Sequence, residues 1–263
     1  MRLFGELVKL SFRRQLTYRA ATLAGLATNF FFGLLRVAVL LSLFGNRQQV
    51  AEMSPQDAIT FTALTQASMA FLSLFGWYDL MNSVNTGEVA GDLLRPVSYY
   101  GLWLAQDWGR AAATFLLRGL TIMFAYALFF DLTFPTSLGQ WLAVALAMML
   151  ALQVSFAWRF LVNLASFWTP NAQGVGRLAF GLAWTMSGFF MPLRFFPDWF
   201  VRLCHLTPFP SVVNVVVEVY LGLVRGRDLL NAIGGQIAWL IILFILGQLV
   251  LRAGVRRLVV QGG

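Results

Sequence analysis

Cysteine, histidine and lysine are each present once in this 263-residue chain. A lone thiol, Cys204, forms no intrachain disulfide. Cys204 and its neighbour His205 cannot build a zinc site, which takes roughly three or four such ligands. Lys9 is the only lysine and lies near the N-terminus, so no G-x-x-x-x-G-K-[ST] loop exists and the chain has no phosphate-binding loop of its own. H-E-x-x-H and G-x-S-x-G are missing as well. Charged residues make up only 11% of the chain, against about 25% in an average soluble domain. Acids are rare inside the apolar runs, where proton-coupled carriers place several. These absences exclude a disulfide scaffold, a metal centre built on soft ligands, and an ATPase.

What is abundant is apolar surface. Hydrophobic residues are 59% of the chain and the mean hydropathy is +0.73. A soluble fold of this length cannot hide so much apolar side chain. The composition therefore predicts an all-α polytopic membrane protein. Nineteen basic residues against eleven acidic ones give a formal net charge of +8. No basic face stands outside the apolar frame, so the excess reads as positive-inside bias toward anionic headgroups rather than nucleic-acid binding.

Residues 1–19 predict an amphipathic helix in the headgroup plane, with Leu3, Leu7, Leu10 and Leu16 alternating with Arg2, Lys9, Arg13 and Arg14. Six spans follow, at about Ala20–Phe44, Asp57–Leu80, Ala111–Phe130, Leu138–Leu161, Val175–Met191 and Ile233–Leu251. The fourth has room to extend to Trp168. Residues 208–224 are apolar enough to resemble a seventh. Basic residues at both ends of the chain put both termini in the cytoplasm, which demands an even number of spans. Residues 192–224 are therefore read as a broken, re-entrant external hairpin between spans five and six. With six spans, thirteen basic residues fall inside and five outside. No internal repeat and no long linker divides residues 1–263, so the chain is one domain.

Three features invite function. Arg36 lies within the first span, where a charge is costly, and either faces an interior or interface or snorkels outward. The cytoplasmic stretch 76–110 is polar and unusually structured. Asn82, Asn85 and Thr86 offer caps before Glu88, and Pro96 stops the helix that follows. Glu88 and Asp92 are four residues apart, on one helix face, and Leu93 with Leu94 gives an apolar side. Such a piece can seat in a groove of a soluble partner or lie on headgroups. In the external hairpin Pro192, Pro197, Pro208 and Pro210 forbid one continuous helix. Phe195, Phe196, Trp199 and Phe209 are expected at the outer interface, and Glu218 needs Arg194 or Arg202 as partner. That hairpin is read either as an external gate or as a structural plug. Phe30, Phe31, Phe32, Phe71, Phe75, Trp158 and Trp184 suit a hydrophobic cargo and equally suit lipid.

Three stretches carry a resemblance: GEVAGDLLRPVSYY at 87–100, SGFFMPLRFFPDWF with LTPFP and VEVYLG within 187–222, and AGVRRLVVQGG at 253–263. Together with the span layout, they resemble the six-span ABC-2 type permeases, in the branch of daunorubicin or viologen exporter permeases. The resemblance implies the transmembrane subunit of an exporter in the bacterial inner membrane. It implies a second permease chain, identical or a sister, and two ATP-binding subunits that hold the ATP and magnesium, so that this chain needs no cofactor. It carries the coupling role to segment 85–100, with Gly87, Glu88, Asp92, Leu94, Arg95 and Pro96 at the ATP-binding subunit. It also carries the connecting role to the N-terminal helix and likens the broken hairpin to the family's short external helices; on the gate reading of that hairpin, Pro192, Phe195, Phe196, Pro197 and Glu218 form the gate. Ala90 departs from the pattern, which has an acid there. The competing readings are a self-contained carrier or channel, and a membrane enzyme or assembly factor.

Overall fold

The computed structural model describes residues 2–17, 19–74 and 76–257. Met1, Phe75 and residues 258–263 of the C-terminal stretch lie outside the described residues. The described chain is helical throughout, with α1 (Arg2–Leu16), α2 (Arg19–Ser42), α3 (Pro55–Phe71), α4 (Asp79–Thr86), α5 (Val89–Leu93) and α6 (Tyr99–Thr114) in its first half. Then come α7 (Leu120–Phe129), α8 (Leu138–Asn163), α9 (Ala172–Met186), α10 (Asp198–His205), α11 (Asn214–Leu221) and α12 (Gly226–Val255). Among the described residues, four helical stretches are long and apolar enough to cross a membrane: Ala24–Ser42, Tyr99–Phe129, Leu138–Phe167 and Gly226–Val255. Helices α3 and α9, with 17 and 15 residues, are shorter.

Span boundaries differ from the sequence reading: α12 runs Gly226–Val255 rather than Ile233–Leu251, and three further differences shape the bundle. The second span was expected to reach Leu80, but α3 stops at Phe71. Ser73 and Gly76 adopt positive φ (51° and 119°), and the chain restarts as a separate helix α4. The third span was expected to begin at Ala111. It begins at Tyr99, because α6 runs through a π-helical turn at Phe115–Gly119 directly into α7. The fifth was expected to reach Met191, but α9 ends at Met186, just before Gly188 turns the chain at φ 78°.

Helix α3 begins with a reciprocal cap. Asp57 N donates to Ser54 Oγ at 3.1 Å, and Ser54 N donates to Asp57 Oδ2 at 2.9 Å. Thr133 Oγ1 adds a bond to Asp57 Oδ1 at 2.7 Å, tying the α7–α8 loop to the same point. Ser54→Ala is expected to cost about 1 kcal/mol, read as a lower thermal unfolding midpoint in detergent.

Helix α1 does more than lie on a surface, because one face docks on α6. A Cβ at Gly109 would collide with the Val8 carbonyl oxygen and stand 2.8 Å from Phe12 N. Ser11 Oγ donates to Gln106 O at 2.6 Å, and Phe4 meets Trp108 edge-on. The other face stays open, with Leu10 67% exposed. On it, Lys9 Nζ donates to Glu6 Oε1 at 2.8 Å, and this bond and charge lower the Glu6 pKa from its ordinary value.

The core centres on α11. Its Val215, Val216, Val217, Val219 and Tyr220 are buried with Phe61 and Phe71 of α3, Val144 and Val154 of α8, and Leu243 of α12. Gln140 on α8 caps the end of α11 by donating to Val219 O and Tyr220 O at 3.1 and 2.7 Å. Asn163, in the last turn of α8, bonds the start of α4, whereas Gln140, in the first turn of α8, bonds the end of α11, so α4 and the end of α11 meet opposite ends of α8.

Candidate functional site

Helix α3 leaves its last carbonyls without intrahelical partners where it stops. In an apolar bundle such groups must be satisfied by protein. Arg110 of α6 donates from Nη1 to Ala70 O and from Nη2 to Phe71 O, both at 2.9 Å. Ser155 of α8 donates to Leu72 O at 2.8 Å. The Trp184 indole N–H of α9 bonds Leu74 O. Asn163 of α8 donates to Trp77 O at 2.8 Å and accepts from Met81 N at 3.1 Å, so it grips both sides of the start of α4. The break is thus held by α6, α8 and α9 together.

One buried carboxylate organises these donors. Asp107, with no exposed side-chain surface, takes a fork from Arg159: Nη1 to Oδ1 and Nη2 to Oδ2, each 2.9 Å. It also takes Arg110 Nε and Nη2 on Oδ1, at 3.0 and 2.7 Å. Arg159 Nε reaches Ser155 Oγ at 3.3 Å, and the Trp77 ring lies 5.6 Å from its guanidinium carbon. Sequence reasoning missed this group. Arg110 and Arg159 are among the thirteen basic residues that the six-span layout places inside, and Asp107 is not singled out. The available signal was an acid in an aromatic stretch and an arginine in an apolar run, each needing a partner.

Beyond the break, α4 ends in Gly87, whose φ of 81° is a left-handed cap. Asn82, Asn85 and Thr86, expected as caps, lie within α4 instead, and Thr86 Oγ1 donates to Ser83 O. Helix α5 is pinned by buried Val89 and by Leu93, which packs on the cluster of Trp77, Tyr99 and Trp103. Glu88 and Asp92 do not share one open face. Asp92 turns toward α4, accepting from Ser83 Oγ at 3.2 Å and pairing with Arg95 at 3.4 Å, whereas Glu88 points outward. Gly87, Arg95 and Pro96 are exposed, and Leu94 is 87% exposed. A short rigid piece therefore offers an apolar tip ringed by polar groups.

At the opposite end, Glu218 pairs with Arg194 at 3.1 Å, and Arg194 also reaches Glu52 at 2.8 Å. Arg202, the other expected partner, donates to Asp198 O instead. Pro192 is buried, Phe195 and Phe196 are half-buried, and Pro197 is exposed. Phe195 lies edge-on to Phe44 at 6.2 Å. Phe209, expected at an interface, is buried edge-on to Trp158 because α11 fills the space between α3, α8 and α12. Trp199, Leu203 and Leu206 form the open side of α10. Cys204 faces inward, and burial raises its thiol pKa. Arg36 turns inward too, donating from Nη2 to Phe189 O and to Phe190 O.

Residues 30–262 match the family model described as ABC-2 family transporter protein. No curated protein and no solved structure matches the chain. The matched region reaches into all four long apolar helices and includes the α3–α4 break and the exposed tip of α5. The chain belongs to the ABC-2 transporter family, as a multi-pass membrane transport component that is not itself catalytic.

Proposed function

We propose that this chain is the permease subunit of an ATP-driven ABC-2 exporter of the bacterial cytoplasmic membrane. It pairs with a second permease chain, and two separate ATP-binding subunits drive it. The observation that carries this reading is Leu94, 87% exposed on a helix otherwise anchored to the core. An apolar side chain on a rigid support, flanked by exposed Glu88 and Arg95, suits a groove in a soluble partner. Helices α2, α3, α6–α7, α8, α9 and α12 are the six spans. The two short ones cross with the help of their flanking turns and local thinning of the bilayer. Both termini, α4 and α5 then face the cytoplasm, and α10 with α11 forms the external hairpin and gate.

In this reading ATP binding closes the soluble pair, which pushes on the tip of α5 and on α1. Helix α4 carries the push to the α3–α4 break. There Arg110, Ser155 and Asn163 tie the break to α6 and α8, so the bundle moves as linked rigid pieces. The path between the two permeases then opens outward. Affinity purification of the full chain from its own cells in mild detergent tests this. A stoichiometric P-loop ATPase and measurable ATP hydrolysis are expected. A chain that purifies alone, with no hydrolysis after reconstitution, overturns the reading and brings a self-contained carrier or channel forward.

A further inference from the structure

Arg36 holds a charge that the described residues do not neutralise. Its Nη2 donates to two backbone carbonyls, those of Phe189 and Phe190. Its Nε and Nη1 are buried with no hydrogen-bond partner among the described residues. No carboxylate among the described residues pairs with it. The ring of Phe189 lies 4.7 Å from the guanidinium carbon and that of Phe61 5.9 Å. Carbonyl dipoles and ring faces attract a cation but leave its charge in place.

Two more open polar groups stand one helical turn away. On α2, Gly33 precedes Arg36 by three residues, so the two share a face. A Cβ at Gly33 would collide with the Tyr126 hydroxyl and lie 3.1 Å from Gln66 Cγ. Tyr126 is fully buried and Gln66 is 3% exposed. Neither Tyr126 Oη nor Gln66 Oε1 has a hydrogen-bond partner among the described residues. Phe30 packs edge-on against the Tyr126 ring at 5.3 Å and Phe130 packs against it tilted at 5.9 Å. Helices α2, α3 and α7 thus bring three unsatisfied side chains together, one of them cationic.

Buried polar groups are normally satisfied, and those left open call for a ligand or water. Water would supply hydrogen bonds but no countercharge. We propose that Arg36 and the Tyr126 hydroxyl, the two donors of this cluster, form a binding site for the oxyanion head of an amphiphile, a phosphate or carboxylate; Gln66 joins them only with its amide turned to present N–H2, since its oxygen accepts. Arginine is the side chain best matched to such oxygens. Apolar surface for the tail lies alongside, on Phe31, Phe32 and Phe190, which are 57%, 56% and 50% exposed. The oxyanion belongs either to a membrane lipid or to a molecule in transit.

The test uses the full-length chain in neutral maltoside detergent and needs no ATP-binding subunit, so its failure leaves the permease reading intact. Dodecyl phosphate and dodecanoate are titrated while the thermal unfolding midpoint is followed, with dodecanol as the uncharged control. Native mass spectrometry compares retention of phosphatidylglycerol with that of phosphatidylcholine. The anionic amphiphiles are expected to raise the midpoint and dodecanol to leave it unchanged. Arg36→Met should weaken binding about tenfold, and Arg36→Lys, which keeps the charge, should weaken it less. Tyr126→Phe deletes only a hydroxyl and should weaken it several-fold, which keeps the test decisive if Arg36→Met fails to fold. Selective retention of phosphatidylglycerol assigns the site to lipid. Saturable binding of the amphiphiles without that retention assigns it to cargo. Equal responses in wild type and all variants, or equal stabilisation by dodecanol, overturn the proposal.

Discussion

Asp107→Leu is expected to remove most of the folded, monodisperse protein. The substitution leaves the Arg159 and Arg110 guanidinium groups without the carboxylate they share, where Asp107 is wholly buried and the Arg159 side chain is 2% exposed. Breaking a buried pair by deleting one partner costs about 3–5 kcal/mol. A typical domain has only about 5–15 kcal/mol to lose. The damage would extend beyond the pair. Arg110 also holds Ala70 O and Phe71 O, and Arg159 orients Ser155, which holds Leu72 O. The measurement is the thermal unfolding midpoint and the monodisperse fraction in detergent. Asp107→Leu combined with Arg159→Met should recover part of the loss, because it removes one of the two guanidinium charges left unpaired, while Arg110 keeps its bonds to Ala70 O and Phe71 O. An unchanged midpoint in the single variant would mean that the guanidinium groups find water, and that the break is not held by this network.

Leu94→Asp is expected to abolish capture of the ATP-binding subunit while leaving the permease folded. The side chain is 87% exposed, so its replacement costs the isolated fold little. In the proposed interface it becomes an apolar anchor in a closed pocket, and an unpaired carboxylate there should weaken binding by at least about tenfold. Glu88→Gln, at the rim, should change the yield only slightly. Asp92→Arg is a poorer probe, because Asp92 also holds Ser83 and Arg95 and its loss disturbs α4. The readout is the ratio of ATPase to permease after purification, alongside the unfolding midpoint. Undiminished capture with a normal midpoint would move the contact away from Leu94.

The residues that sequence alone made legible act locally. Long apolar runs mark α2, α8 and α12, because the number of apolar residues needed to cross hydrocarbon is a property of the run itself. The prolines that break the segment after α9 follow from the backbone restriction of single residues. The Glu218–Arg194 pair was also within reach, since an acid in an apolar run demands a nearby base.

The residues that tertiary structure decided act across distance. The stretch FLSLFGW at 71–77 is apolar and reads as continuing helix. It stops because Arg110, Ser155, Trp184 and Asn163 offer its carbonyls other partners. Asp107 and Arg159 lie 52 residues apart, so no periodicity links them. Arg36 could equally face the bundle or snorkel, until the chain reversal after α9 placed two carbonyls beside it. Local propensity and hydropathy are sums over neighbours in the chain, whereas the pairing of buried charges depends on which helices meet.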